Sequence, residues 1–142
     1  MKLTKHTDYS LRILIYAALQ PEARLLSIQE VTDAYGLSRN HVMKIVQKLG
    51  QEGYLRTLRG KGGGFALGKP PEAINLGDLV SCMETTLQMV ECEQPLCRIS
   101  PACQLQGVFA EAMSAFMGVL NRYTLADLMD NRKELIGLLA IT

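Results

Sequence analysis

The chain has 142 residues, 48% of them apolar, and a formal charge of +1, which suits one moderate domain, or a small module plus an extension, that folds without disulfide staples. No apolar run reaches the roughly eighteen residues of a membrane span. Ile13 to Leu19, the nearest approach to a signal sequence, follows Asp8 and Arg12, so a cytoplasmic protein with no membrane partner is expected. Divided near Pro70-Pro71, the charge separates: residues 1–70 carry eleven Lys or Arg against five acids, +6, and residues 71–142 carry four against nine, −5. A polyanion partner is expected for the first part only, although a charge split can also be no more than a solvated face.

Tyr9 to Gln20 places Leu11, Leu14, Ile15 and Ala18 at helical spacing before Pro21, which predicts a first helix. Ser27-Ile28-Gln29-Glu30 is a capping box, so a second, short helix runs to about Tyr35. Gly36 supplies a left-handed stop, Ser38 an N-cap, and Val42, Ile45, Val46 and Leu49 the apolar stripe of a third helix. Helix, tight glycine turn and helix make a helix-turn-helix. Tyr54 to Arg59 is rich in β formers, Gly60 to Gly64 is a flexible turn carrying Lys61, and Phe65 to Leu67 can pair back, which makes a wing with a basic tip. Leu76, Leu79, Val80 and Met83 mark a fourth helix. An irregular stretch follows, and then the longest helical pattern, from about Ala102 to Tyr123, whose wide apolar stripe predicts a second copy of the chain as partner. Thr124 caps a last short turn, Leu125 to Asp130, and the tail Leu135 to Ile141 is apolar enough to pack back.

The third helix opens with Ser38, Arg39, Asn40 and His41, and Lys44 lies one turn on. These are the residue types that reach base edges and phosphates, at the end of a recognition helix that enters the major groove. Arg39 and Asn40 suit bidentate contacts with guanine and adenine, while His41 and Lys44 suit phosphate or a single acceptor. Arg59 and Lys61 on the glycine tip can reach an adjacent minor groove or the backbone. Ordinary solvated bases around a three-helix core are the plainer alternative. Agreement of stripe, turn, polar helix start and basic wing in one order favours double-stranded DNA, read by a dimer whose recognition helices sit about 34 Å apart on a palindromic site.

Cys92, Cys97 and Cys103 fall within twelve residues, among Glu91, Glu93, Pro95 and Pro101. Zinc sites mostly pair their ligands as C-x-x-C, whereas four and five intervening residues around prolines make an open loop that suits an iron–sulfur cluster. Three thiolates leave one iron short of a protein ligand. A reactive or redox-active thiol group remains the alternative, and Cys82, on the fourth helix, is expected to be a small buried filler.

The run from Met1 to about Gly68, with Leu3-Thr4, Thr7-Asp8-Tyr9, Ser38-Arg39-Asn40-His41 and Arg59-Gly60-Lys61-Gly62-Gly63-Gly64, strongly resembles the Rrf-type winged-helix regulators. The cysteine pattern together with Tyr123-Thr124-Leu125-Ala126-Asp127-Leu128 is similar to the NsrR-like, nitric-oxide-sensing branch of that family, and the resemblance covers nearly the whole chain. It implies a homodimeric repressor with one cluster per protomer, 4Fe-4S in preference to 2Fe-2S. The implied ligands are Cys92, Cys97 and Cys103 with Asp8 of the partner protomer. On the residues alone Asp8 is a cap or dipole partner for the first helix. The branch that regulates cluster biogenesis takes a histidine shortly after its third cysteine. This chain has Gln104, Leu105 and Gln106 there, and its histidines are His6 and His41.

The expected fold is mainly α: a winged helix-turn-helix DNA-binding domain at 1–70, then a cluster-binding loop and dimerisation helix at 71–142. The expected function is a DNA-binding repressor that releases DNA when nitric oxide modifies or removes its cluster. Rivals are a cluster-free thiol switch of the same fold and an iron–sulfur electron carrier. No nucleophile and base pairing is evident, and Gly60 to Gly64 lacks the context of a phosphate cradle, so an enzyme is not expected.

Overall fold

The computed structural model describes residues 1–22 and 24–142. Six α-helices and one hairpin follow in the order α1 (Lys5–Ala18), α2 (Ile28–Tyr35), α3 (Arg39–Gln51), β1 (Leu55–Leu58), β2 (Gly64–Leu67), α4 (Leu76–Met83), α5 (Leu105–Leu120) and α6 (Arg132–Leu138). Short 3-10 segments, Pro71–Ala73 and Leu125–Met129, precede α4 and α6. The winged helix-turn-helix and the mainly α class expected from the sequence are both present.

Local chemistry accounts for the boundaries. Thr4, not Asp8, caps α1, its hydroxyl accepting from the Thr7 amide, and Asp8 lies in the first turn. The Ser27/Glu30 capping box opens α2, and Gly36 ends it at φ +64, a conformation that costs a residue with a Cβ. Ser38 caps α3 as expected. In the wing, β1 pairs antiparallel with β2, from Leu55 opposite Leu67 to Leu58 opposite Gly64. Leu26 adds a third, bridge-like rung, since its amide donates to Phe65 O at 2.7 Å and the Phe65 amide donates back to Leu26 O at 2.9 Å. A Cβ at Gly64 would stand 2.4 Å from that Leu26 oxygen, so the rung requires glycine there.

One core cluster draws on both sides of Pro70-Pro71. Ile13, Leu14, Val42, Ile45, Leu49 and Phe65 share it with Ile74, Leu79, Met83 and Leu125, and Cys82, Leu139 and Ile141 pack on its edge. The tail packs back as expected, though through α6 and the residues after it. Its start is pinned by Arg132, whose guanidinium donates to Ala18 O and Leu19 O at 2.9 Å each and so satisfies carbonyls left open at the end of α1. The end of α5 is tied to the start of α4: Asn75 Nδ2 donates to Asn121 O at 2.8 Å and the Leu76 amide to Tyr123 O at 3.0 Å. Thr124 and Asp127 form a second capping box.

Helix α5 is shorter than its sequence pattern, beginning at Leu105 because the turns through Pro101 hold the chain until then. None of its residues is buried within the protomer. Leu105, Val108 and Val119 are exposed, while Phe109, Met113, Phe116, Met117 and Leu120 are half-buried, so its apolar surface is only partly covered. Among the described residues no helix is long and apolar enough to cross a membrane.

If the segment around Leu125 is integral to the core, Leu125→Ala should destabilise the chain by about 2–5 kcal/mol in urea unfolding. Leu138→Ala, at a side chain 78% exposed, should stay within about 0.5 kcal/mol.

Candidate DNA interface and cysteine loop

The residues expected to meet DNA lie on two exposed projections of the head. Ser38, Arg39, Asn40 and Lys44 are exposed at the start of α3, and Arg59 and Lys61 are exposed on the wing tip. Two members are held. Arg39 Nη1 donates to Gln29 Oε1 at 2.9 Å, so α2 orients the guanidinium. His41 is half-buried, its ring edge-on to Tyr9 of α1 at 5.0 Å and stacked near His6 at 6.4 Å between centroids. It therefore faces α1 as much as solvent, which its place in the sequence did not reveal. Burial is the first cause that lowers the His6 pKa, followed by the charges of His41 and Lys48.

Asp8 sits one residue before Tyr9. Its carboxylate is forked by Arg12, Nε to Oδ1 and Nη2 to Oδ2, both 2.9 Å. With side chains 45% and 41% exposed, such a pair contributes on the order of 0.3–0.5 kcal/mol. The fork thus fixes geometry more than stability and can be exchanged for another partner at little cost. Arg12 also lies 5.6 Å from the Tyr9 ring, and its carbonyl accepts from Tyr35 Oη at 2.9 Å. Burial pushes the Tyr35 phenol up to about 12, so it remains a donor. An acid followed four residues later by arginine on a helix was a legible signal for the fork; Tyr9 and Tyr35 carried none.

The cysteine loop between α4 and α5 is built from successive turns. The Cys97 amide donates to Cys92 O at 3.0 Å, and Glu93 bridges to Leu96, which brings the first two cysteine backbones together. Ser100 then donates to Cys97 O at 3.1 Å and Ala102 to Ile99 O at 3.0 Å. Glu91 accepts from the amides of Glu93 and Gln94, which lowers its pKa and braces the approach to Cys92. Cys103 stands at the threshold of α5, and its Sγ accepts from the Leu105 amide at 3.4 Å. All three thiols are free and half-buried. Among the described residues no group of three or more His, Cys, Asp or Glu side chains in one protomer is arranged to hold a metal ion. The loop gathers the cysteines along one short segment without converging them on a point.

Cys82 lies apart, on α4 at the core edge. Burial, and then the charge of Glu52, raises its pKa. It is half-buried there rather than the fully buried filler expected of it.

A second link between halves was not foreseen. Glu84, just past α4, accepts from the Thr4 amide at 2.7 Å and from its hydroxyl at 3.2 Å. The segment that leads into the cysteine loop is thereby fastened to the start of the helix that carries Asp8.

A wing, a helix-turn-helix with a polar exposed start and a basic head define a winged-helix DNA-binding regulator. A family model described as Rrf2, iron-dependent transcriptional regulator, matches residues 3–131, and the chain belongs to that family. Its members are DNA-binding transcriptional regulators and not enzymes. Among solved structures, CymR (YrzC), the global cysteine regulator of B. subtilis, is 26% identical with a TM-score of 0.70 over 90% of this chain and 95% of that one. The oxidised form of Staphylococcus aureus CymR is 24% identical, TM-score 0.74, over 92% and 97%. T. potens IscR is 21% identical, TM-score 0.75, over 95% and 90%; these last two likenesses speak to the fold alone.

Thr4→Ala should cost about 1 kcal/mol through loss of the cap. A urea-unfolding cycle with Glu84→Ala should show the double variant losing less than the sum of the two, because both break one contact.

Proposed function

We propose that the chain is a dimeric repressor that senses nitric oxide through an iron–sulfur cluster, 4Fe-4S in preference to 2Fe-2S, held by Cys92, Cys97 and Cys103 with Asp8 of the partner protomer. The observation that carries this reading is the set of three free, half-buried thiols on one turn-built loop, with an amide aimed at the Cys103 sulfur. Soft thiolates braced by amide donors suit cluster iron. A bound cluster would supply iron open to ligand exchange, and the iron held by the hard carboxylate of Asp8, rather than by one of the three soft thiolates, would be the one a competing ligand such as nitric oxide reaches first.

The residues around Asp8 give the signal a route. Asp8 and Tyr9 are neighbours on α1, and Tyr9 packs against His41 at the start of α3. Whether Asp8 is held by its own Arg12 or drawn to the partner biases the position of α1, and through Tyr9 the recognition helix. The uncovered apolar surface of α5 is the proposed dimer contact and sets the spacing of the two heads.

On DNA, Ser38, Arg39, Asn40, His41 and Lys44 would enter the major groove while Arg59 and Lys61 reach the backbone or minor groove of a palindromic operator. The thiol-switch alternative gains support from the 26% likeness to a cysteine regulator. The family assignment sets aside the electron carrier.

Two sets of measurements test this. In anaerobically purified protein, Cys92→Ala, Cys97→Ala and Cys103→Ala should each lose bound iron, sulfide and visible absorption; a wild-type chain with neither iron nor sulfide would favour the thiol switch. Nitric oxide should weaken operator binding by about 5–150-fold, and Asp8→Ala should already bind at that weakened level. In a salt series, Arg59→Ala should weaken operator and random DNA alike and reduce the log–log salt slope by about 0.9. Asn40→Ala should cost about 1–3 kcal/mol on the operator and relax its base preference.

A further inference from the structure

A cavity of about 610 Å³ lies where the end of α1, the base of the wing and the start of α6 meet. That is within the span of small-molecule sites, about 300–1,000 Å³. None of the cysteines of the loop lines it, nor does Asp8 or any residue proposed to touch DNA. Four cations do, Arg24, Arg56, Lys69 and Arg132, against Glu22 as the single acid among the lining residues.

Two of the four are already fixed by the fold. Arg132 is held by the carbonyls of Ala18 and Leu19. Arg24 is held by Gln20 Oε1 at 2.9 Å and by the Glu30 carboxylate. Gln20 is itself only 8% exposed and donates to Tyr16 O, so this wall is rigid. The rotamer entropy of those guanidinium groups has been lost in folding and would not be lost again on binding a ligand. The other two cations are held by no hydrogen bond to an acid among the described residues. Lys69 Nζ rests 4.5 Å over the Tyr54 ring, and Arg56 faces the small Ala66 across the ladder, which leaves the space beside it open. Among the described residues none of Arg56, Lys69 and Arg132 is ion-paired with an acid. The excess of positive charge around a concave, partly apolar hollow is relieved by an anion small enough to enter it, and the Arg56 guanidinium fork matches carboxylate and phosphate oxygens.

We propose that this cavity binds a small polyanion bearing several carboxylate or phosphate oxygens. Arg56 and Ala66 belong to the wing strands while Gln20 and Arg132 belong to the body, so the occupant ties the wing base to the rest of the head. DNA is the less fitting occupant, because a duplex presents its phosphates on a convex surface and the site is a hollow at the base of the wing, away from the tip residues Arg59 and Lys61.

Isothermal titration of the full chain, purified anaerobically and held at constant ionic strength, with pyrophosphate in one arm and citrate in the other, tests the site. One saturable site per protomer is expected with at least one probe, the tighter arm identifying phosphate or carboxylate as the ligand's chemistry. Arg56→Glu and Lys69→Glu, checked for unchanged circular dichroism, should each weaken binding by about tenfold or more. Ala66→Leu should block it by filling the hollow without changing charge, and Lys133→Glu, an α6 cation outside the cavity, should leave it unchanged. The proposal is overturned by absence of saturable binding in both arms, by wild-type affinity in the cavity variants, or by equal loss in Lys133→Glu. It is equally overturned if Arg56→Glu lowers the salt slope of DNA binding while no anion binds, which would make the patch a DNA-backbone surface. None of these readouts depends on the cluster, so the two proposals fail separately.

Discussion

Burial of α1 on more than one side is the constraint on which the other parts depend. Ile13 and Leu14 are fully buried, Ala17 and Ala18 nearly so, and the helix packs on α3, α4, β2 and the segment around Leu125. Each large apolar side chain removed from water there contributes about 1.5–3 kcal/mol, far more than any surface ion pair in the molecule. A helix so enclosed cannot shift without moving its neighbours. Its first turn touches the start of α3 through Tyr9 and His41, and its last turn meets the tail through Arg132.

The two ends of α1 are consequently the places where chemistry can influence the head. At the first turn, Thr4 is fastened by Glu84, Asp8 is forked by Arg12, and Tyr9 leans on His41. These are partly exposed, individually weak contacts, suited to being exchanged. At the last turn, the open carbonyls attract Arg132, and the cations gathered beside them line the cavity. The proposed sensing route uses the first end and the proposed anion site the second.

Helix α5 and the cysteine loop follow a different logic. The loop has almost no buried apolar side chains, and turns and hydrogen bonds from backbone amides to Glu91 and Cys103 hold it in shape. Helix α5 is anchored at its end by Asn121 and Tyr123 and packs on α4, with Phe109, Met113 and Phe116 half-buried and Leu105, Val108 and Val119 exposed. A region this poor in its own burial has much apolar and polar surface still open to a partner. That explains why a second copy and a bound group are natural proposals for the same region.

The sequence by itself determined what depends on neighbours in the chain. The Ser27 capping box, the Gly36 stop, the Ser38 cap and the apolar stripe of α3 are local rules, and they placed the helix-turn-helix, the wing and the basic positions at the start of α3 and on the wing tip. Spacing alone marked Cys92, Cys97 and Cys103 as one group, whereas the fork of Asp8 by Arg12 was not foreseen although the two stand four residues apart on one helix. Only the tertiary structure decided the rest, because it joins residues far apart in sequence with no local pattern: Thr4 to Glu84, Ala18 to Arg132, Leu26 to Phe65, Tyr9 to His41. It also decided that the core runs through residues on both sides of Pro70-Pro71, and that Arg24, Arg56, Lys69 and Arg132 surround one hollow. Side-chain orientation and burial are set by packing, and packing is a property of the whole chain.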